Sequence, residues 1–202
     1  MYIARIHKCG TQSLDYMYKD ISHVYTQSHH VNSPGGMPSN QLVTSHVIDT
    51  DHCRWSQMYK VGFVRNPFSR IVSLYHNKLS TRVSPTFKHF VVDTLTGMDV
   101  YTPMILDHNN LIRVIDDLKL HCSGLMNPHY YVSSLDFVGK VENFQQDVDT
   151  INRQLNIPDM KLPHVNKSNH KHYTEYYDDE TREIVAEKYA KDIEYFGYEF
   201  GE

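Results

Sequence analysis

The sequence predicts an α/β fold, because three segments each consist of a short apolar strand, a polar turn and an amphipathic helix. These segments cover residues 2–21, 59–79 and 135–155. In each, a β-prone run is followed by apolar positions that recur at helical spacing. At 202 residues, the chain is long enough for one domain with a substantial core, spanning residues 1–202.

The first segment contains a lysine-led polar loop that predicts an anion site. Residues 2–6 are β-prone, and the loop after them reads K-C-G-T-Q-S before the helix begins. Backbone N–H groups and the positive end of the helix dipole would converge in such a loop. The candidate phosphate ligands are Lys8, Cys9, Gly10, Thr11, Gln12 and Ser13. The loop is not a Walker A sequence, in which the lysine directly precedes the helix. From the loop alone, an ordinary turn with a solvated lysine is the alternative.

The second segment places a cation at the end of a strand. Residues 59–64 form the apolar strand, and Arg65 follows directly. Asn66 is a good N-cap and Pro67 a good first helical residue. Ser69 and Ser73 lie four and eight residues after Arg65, so a regular helix turns both hydroxyls back toward the arginine. An arginine fork with a hydroxyl suits a phosphate dianion.

Residues 64–75, V-R-N-P-F-S-R-I-V-S-L-Y, resemble the 3′-phosphate motif of sulfotransferases, V-R-(D/N)-P-(Y/F)-x-R-x-x-S-x-Y. The first loop resembles the 5′-phosphosulfate loop of the same family, (I/V)-P-K-T-G-(T/S)-(T/S)-S-L, and departs from it at His7, Cys9 and Gln12. Further segments, F-V-G-K-V-E-N-F-Q-Q-D from residue 137 and the loop at 162–168, are similar to carbohydrate-type sulfotransferases. The resemblance therefore spans nearly the whole chain.

The resemblance implies a single domain with a central parallel sheet flanked by helices, the P-loop nucleotide-kinase-like sulfotransferase fold. It implies in-line transfer of a sulfuryl group from 3′-phosphoadenosine 5′-phosphosulfate (PAPS) to an acceptor hydroxyl or amine. The acceptor would be a carbohydrate or another small hydroxyl compound. Arg65 and Ser73 would hold the 3′-phosphate, and Lys167 and Ser168 would close over the nucleotide. Lys8 would stabilise charge on the leaving phosphate, and no metal would be needed.

An acceptor hydroxyl needs a base, and a histidine near neutral pKa is the default choice. His46 is the best candidate, because it lies in the strand-like residues 42–48 between the two phosphate motifs. Several carbohydrate sulfotransferases place a catalytic histidine in a comparable region. His52 and His121 are alternative bases, and a glutamate could also serve as the base. His46 could instead have a purely structural role.

Charge and composition narrow the classes of function. The net charge of −4 and pI of about 6.4 do not favour nucleic-acid binding. The chain has no apolar run of about 20 residues and no signal peptide at its start, so we expect a cytoplasmic protein without membrane insertion. Its 14 histidines show no structural zinc spacing, either near His52 or in the cluster of His164, His170 and His172.

Two other classes of function stay open at this stage. A phosphotransferase of related fold would need magnesium and a Walker A lysine, which the loop lacks. A non-catalytic module that binds adenosine 3′,5′-bisphosphate (PAP) stays open because of the departures in the first loop. The remaining expected elements are an acceptor-side loop at 22–41, helices at 84–96 and 111–118, and a C-terminal helix over 178–196.

Overall fold

The computed structural model describes residues 1–3, 8–22, 24–27, 42–43, 57–76, 84–95, 135–163 and 171–202. Most of the predicted loop at 22–41 and the whole predicted helix at 111–118 lie outside the described residues, as do positions 44–48 of the predicted strand.

In the described part of the chain, five parallel strands form one sheet. They are β1 (Tyr2–Ile3), β2 (Tyr25–Gln27), β3 (Leu42–Val43), β4 (Lys60–Val64) and β5 (Phe137–Lys140). Their order in the sheet is β3-β2-β1-β4-β5. The chain thus moves outward from β1 to β3 and then returns to place β4 on the other side of β1. Such a reversal is the point where open α/β sheets bind ligands. The parallel α/β sheet expected from the sequence is confirmed.

By its contacts, the chain divides into two compact units, Met1–Val64 with Tyr131–Asn166 and Arg65–Tyr130 with Lys167–Glu202. The first unit holds the sheet, α1 (Thr11–Met17), a 3-10 turn (Val141–Asn143) and α4 (Phe144–Gln154). The second holds α2 (Pro67–Tyr75), α3 (Phe87–His89) with a π-helical continuation (Phe90–Leu95), a 3-10 turn (Tyr173–Tyr176), α5 (Asp179–Lys188) and α6 (Ala190–Phe196). The single domain of the sequence analysis stays a prediction.

In the first unit, α4 buries its apolar face and one amide. Val148 and Ile151 are buried, and Asn152 beside them accepts a 2.7 Å hydrogen bond from the Tyr18 hydroxyl. The helix ends where the sequence predicted. Asn156 takes a left-handed φ of 54°, and the Ile157 N–H returns to the Asn152 carbonyl at 2.8 Å. This is the bonding pattern of a Schellman stop, in which the turn satisfies the last carbonyls of the helix.

The second unit packs around the apolar face of α2. The core there is formed by Phe68, Ile71, Val72, Leu74, Phe87, Phe90, Val91, Tyr173, Val185 and Tyr189. Asp178 caps α5 by accepting the Thr181 N–H at 2.8 Å. The predicted C-terminal helix is two helices, because Tyr189 leaves the helical region at φ −109° and ψ 22°. The buried Tyr189 ring lies 5.2 Å from the Arg70 guanidinium carbon.

The second unit also buries a carboxylate. Asp192 on α6 is 2% exposed, and neither of its oxygens has a hydrogen-bond partner among the described residues. Burial raises the pKa of Asp192 to about 6, against an opposing effect of the Arg70 charge. The folded chain therefore binds this proton more tightly than the unfolded chain does.

We expect the Asp192 carboxyl to make stability depend on pH. Its favourable contribution is fully present below its ordinary pKa of 3.8 and is lost as pH rises through about 6. The free energy of unfolding of the wild type, minus that of Asp192→Asn, should fall by about 2 kcal/mol between pH 4 and pH 7. Urea unfolding at several pH values measures this difference.

The matched control is Asp179→Asn, since the Asp179 side chain is 97% exposed in the same unit. Its difference from the wild type should change little over the same range. A difference for Asp192→Asn that is equally flat would contradict the raised pKa.

Candidate functional site

The lysine-led loop turns through two left-handed residues. Lys8 has a φ of 62° and Gly10 a φ of 74°. Glycine adopts this region without penalty, but a side chain such as that of Lys8 costs of order 1 kcal/mol there. Residues held in such conformations are concentrated at functional sites. Lys8, where this strain occurs, is also the lysine predicted from the sequence to take part in catalysis.

The start of α1 determines what the loop can offer an anion. The Gly10 carbonyl accepts from the Ser13 N–H at 3.0 Å and from the Leu14 N–H at 3.3 Å. The Ser13 N–H is therefore committed within the helix, and Ser13 can offer its hydroxyl instead. The thiol of Cys9 is buried, at 1% exposure, so Cys9 could contribute only through its backbone. Thr11 is half-buried and Gln12 is exposed.

The second motif begins its helix as the sequence predicted. Asn66 is the N-cap of α2, and its Oδ1 accepts the Phe68 N–H at 3.1 Å. Its Nδ2 donates to the Glu199 carbonyl at 2.8 Å, which ties the start of α2 to the end of the chain. Pro67 occupies the first turn. These contacts hold the backbone directly after Arg65.

The guanidinium of Arg65 is held by a serine one turn along α2. Nε and Nη2 of Arg65 donate to Ser69 Oγ at 3.0 and 2.8 Å. Ser73, two turns along, is half-buried like Arg65 and Ser69. From its spacing, Ser69 was expected on this face, but no role was assigned to it. The signal for that role was its i+4 spacing from Arg65.

Arg70, the second arginine of the motif, has a different environment. It is 2% exposed in the core of the second unit, beside the Tyr189 ring. Burial of this guanidinium makes Arg70 a structural residue. In the first unit, Asp147 is structural in a similar way, because its carboxylate accepts the Lys140 N–H at 2.7 Å.

Several candidate residues lie outside the described residues. They are His46, its alternatives His52 and His121, and the nucleotide-loop candidates Lys167 and Ser168. Within the described ranges, no group of three histidine, cysteine or acidic side chains could hold a metal ion. No helix in those ranges is both long and apolar enough to cross a membrane.

Comparison with known proteins identifies the family. A family model with the description "Sulfotransferase family" matches residues 1–199. The match therefore includes the lysine-led loop, the Arg65 motif and every described helix and strand. No curated protein and no solved structure gives a significant match.

We expect Asn66→Ala to destabilise the chain by about 2 kcal/mol. The substitution removes an N-cap worth about 1 kcal/mol and a partly buried side-chain hydrogen bond worth about as much. Urea unfolding measures the loss. The control is Thr86→Ala, which removes only the exposed cap of α3 (Thr86 Oγ1 to the His89 N–H, 3.1 Å) and should cost about half as much. Equal losses for the two variants would contradict a structural role for the Glu199 contact.

Proposed function

The chain belongs to the sulfotransferase family, and from that premise we propose that it transfers a sulfuryl group from PAPS to an acceptor hydroxyl or amine. We propose a carbohydrate or another small hydroxyl compound as the acceptor. Family membership supports sulfotransfer in general. The choice of PAPS is carried by one observation, the Arg65 guanidinium held by Ser69 in a motif that resembles the 3′-phosphate site of the family.

Each motif offers donors that suit one phosphate of such a nucleotide. In the first unit, the loop combines the Lys8 cation with the hydroxyls of Thr11 and Ser13, a donor set suited to a 5′-phosphate. In the second unit, Arg65 supplies a planar fork of donors and Ser73 a hydroxyl, which suits the dianionic 3′-phosphate. A ribose without a 3′-phosphate would lose the Arg65 contact, so the motif favours PAPS over ATP.

PAPS supplies the activated sulfuryl group when it is bound. Lys8 would neutralise the negative charge that grows on the leaving phosphate, an interaction that is strongest in the transition state. Arg65 and Ser73 would hold the nucleotide in place, which would keep its sulfuryl group in a fixed position for attack by the acceptor. His46 would take the proton from the acceptor hydroxyl at an imidazole nitrogen.

The first test is the binding of PAP, the nucleotide product. At about 100 times its dissociation constant, PAP should stabilise the folded chain by roughly 2.7 kcal/mol, which raises the melting temperature measurably. We expect Arg65→Ala to abolish this shift. The matched control is Arg182→Ala, which removes a half-exposed arginine that pairs with Asp179 on α5, and which should keep the shift.

Two results of this experiment would overturn the proposal. A shift with ATP and magnesium but not with PAP would identify a phosphotransferase instead. The absence of a shift with either nucleotide would show that the two motifs bind no adenosine phosphate.

A second test concerns the proposed base. His46→Ala should lower the rate of sulfuryl transfer by about 10²- to 10⁴-fold, since a positioned base contributes that much. The PAP-induced melting shift should survive, because the base does not contact the nucleotide in this proposal. The assay follows PAPS consumption with a panel of hydroxyl and amine sugars, and His89→Ala, an exposed histidine of α3, is the control. Unchanged transfer by His46→Ala would refute the assignment, and absent transfer by the wild type would favour a non-catalytic module.

A further inference from the structure

An aromatic ring from a distant part of the chain fills the space beside Gly10. A Cβ atom built on Gly10 would lie 2.5 Å from Cζ and 3.3 Å from Cδ1 of Phe144, and it would overlap Cε1 as well. Carbon atoms in contact are normally 3.5–4.0 Å apart. The ring of Phe144 therefore lies directly against the Gly10 backbone, at the turn where φ is 74°.

The Phe144 ring is supported from the sheet. It packs on Phe63 of β4, with ring centroids 4.8 Å apart and planes inclined by 59°. Phe63 in turn lies over Gly139 of β5, where a Cβ atom would be 2.7 Å from Cδ1 and 2.9 Å from Cζ of its ring. Two glycines thus enclose two rings, in the order Gly139, Phe63, Phe144 and Gly10. We call these four residues the aromatic row.

The helix that carries Phe144 is itself anchored at two places. Phe144 is the first residue of α4, and the Asp147 carboxylate holds the end of β5 through the Lys140 N–H at 2.7 Å. Further along, Asn152 of α4 accepts a 2.7 Å hydrogen bond from Tyr18, the residue that ends α1. The lysine-led loop comes before α1, and Tyr18 comes after it. α4 therefore contacts the chain at both ends of α1, through Phe144 at the loop and through Asn152 at Tyr18.

We propose that Phe144 is a positioning residue for the lysine-led loop. Its ring, supported by Phe63, keeps the turn at Lys8 and Gly10 in the left-handed conformation that both residues adopt. Without the ring, the turn at Gly10 gains the wide conformational freedom of glycine, and strain at Lys8 favours relaxation to other conformers. A ligand must then reorder the loop when it binds, which lowers its affinity. The identity of that ligand, the 5′-phosphate end of PAPS or PAP, rests on the proposed function.

The first experiment compares two nucleotides by calorimetry. Phe144→Leu removes the ring atoms that reach Gly10 but keeps an apolar side chain and a good helix former. We expect the affinity for PAP to fall about tenfold, because the loop must be ordered on binding. The affinity for adenosine 3′-phosphate, which has no 5′-phosphate, should stay unchanged. The control is Phe137→Leu, another half-buried phenylalanine of the first unit, at the start of β5, and it should leave both affinities unchanged.

The second experiment requires no nucleotide. Gly10→Ala adds a methyl group that overlaps the Phe144 ring and also a penalty for positive φ. In the Phe144→Leu background the overlap is relieved and only the penalty stays. The loss in urea midpoint caused by Gly10→Ala should therefore shrink by about half or more when Phe144 is also replaced. If Gly10→Ala alone does not fold, recovery of folding in the double variant is the equivalent result.

The two experiments separate the proposals. If the wild type binds no PAP, the proposed function fails, and the double variant alone decides whether Phe144 holds the loop. Additive effects of the two substitutions would overturn the positioning role. It would also be overturned if Phe144→Leu bound PAP as tightly as the wild type, or lost PAP and adenosine 3′-phosphate equally.

Discussion

The parallel pairing of β1 with β4 is the constraint on which the first unit depends. Tyr2 lies opposite Lys60 and Ile3 opposite Val61, so both strands end at the same edge of the sheet. The strand order reverses between these two neighbours. In open α/β sheets, the connections that follow two such strands run to opposite sides, and a crevice forms between them at that edge. The lysine-led loop follows β1 at this reversal, which is the physical reason to look for chemistry there.

The loop combines a strained backbone with a rigid support. Lys8 carries a side chain at positive φ, and such strain persists only where the surroundings determine the conformation. The aromatic row supplies these surroundings, since a half-buried ring in contact with a glycine allows the backbone little room to move. A preorganised loop binds an anion without the cost of ordering itself. The same contact explains why position 10 is glycine, independently of its φ.

One motif uses two arginines for different purposes. Arg65 is half-buried, and Ser69 orients its guanidinium through two hydrogen bonds. Arg70, five residues later, is buried beside Tyr189 and influences the pKa of Asp192. Their positions separate them, because Arg65 precedes the helix, whereas Arg70 lies within α2 among its buried residues. The motif thus buries Arg70 in the core of the second unit, while Arg65 stays half-buried and is proposed to bind the nucleotide.

Local features were predictable from the sequence, because their causes lie within a few residues. The Asn66 cap follows from a side chain that bonds to neighbouring backbone, and the stop after α4 follows from the left-handed backbone turn at Asn156. The start of α5 follows from the acidic residues of its first turn. The lysine-led loop and the Arg65 motif were recognised from their spacing for the same reason. Their ligands and the base His46 stay predictions.

The tertiary structure decided what depends on residues far apart in the chain. The sheet order, the approach of Phe144 to Gly10 and the raised pKa of Asp192 each arise from packing between distant segments. Helical spacing alone predicts one continuous C-terminal helix. In the structure the helix breaks at Tyr189, whose ring is buried. Periodicity and capping residues indicate where an element begins and which of its faces is apolar. They do not indicate which distant segment packs against that face. That partner is selected by the packing of the whole unit.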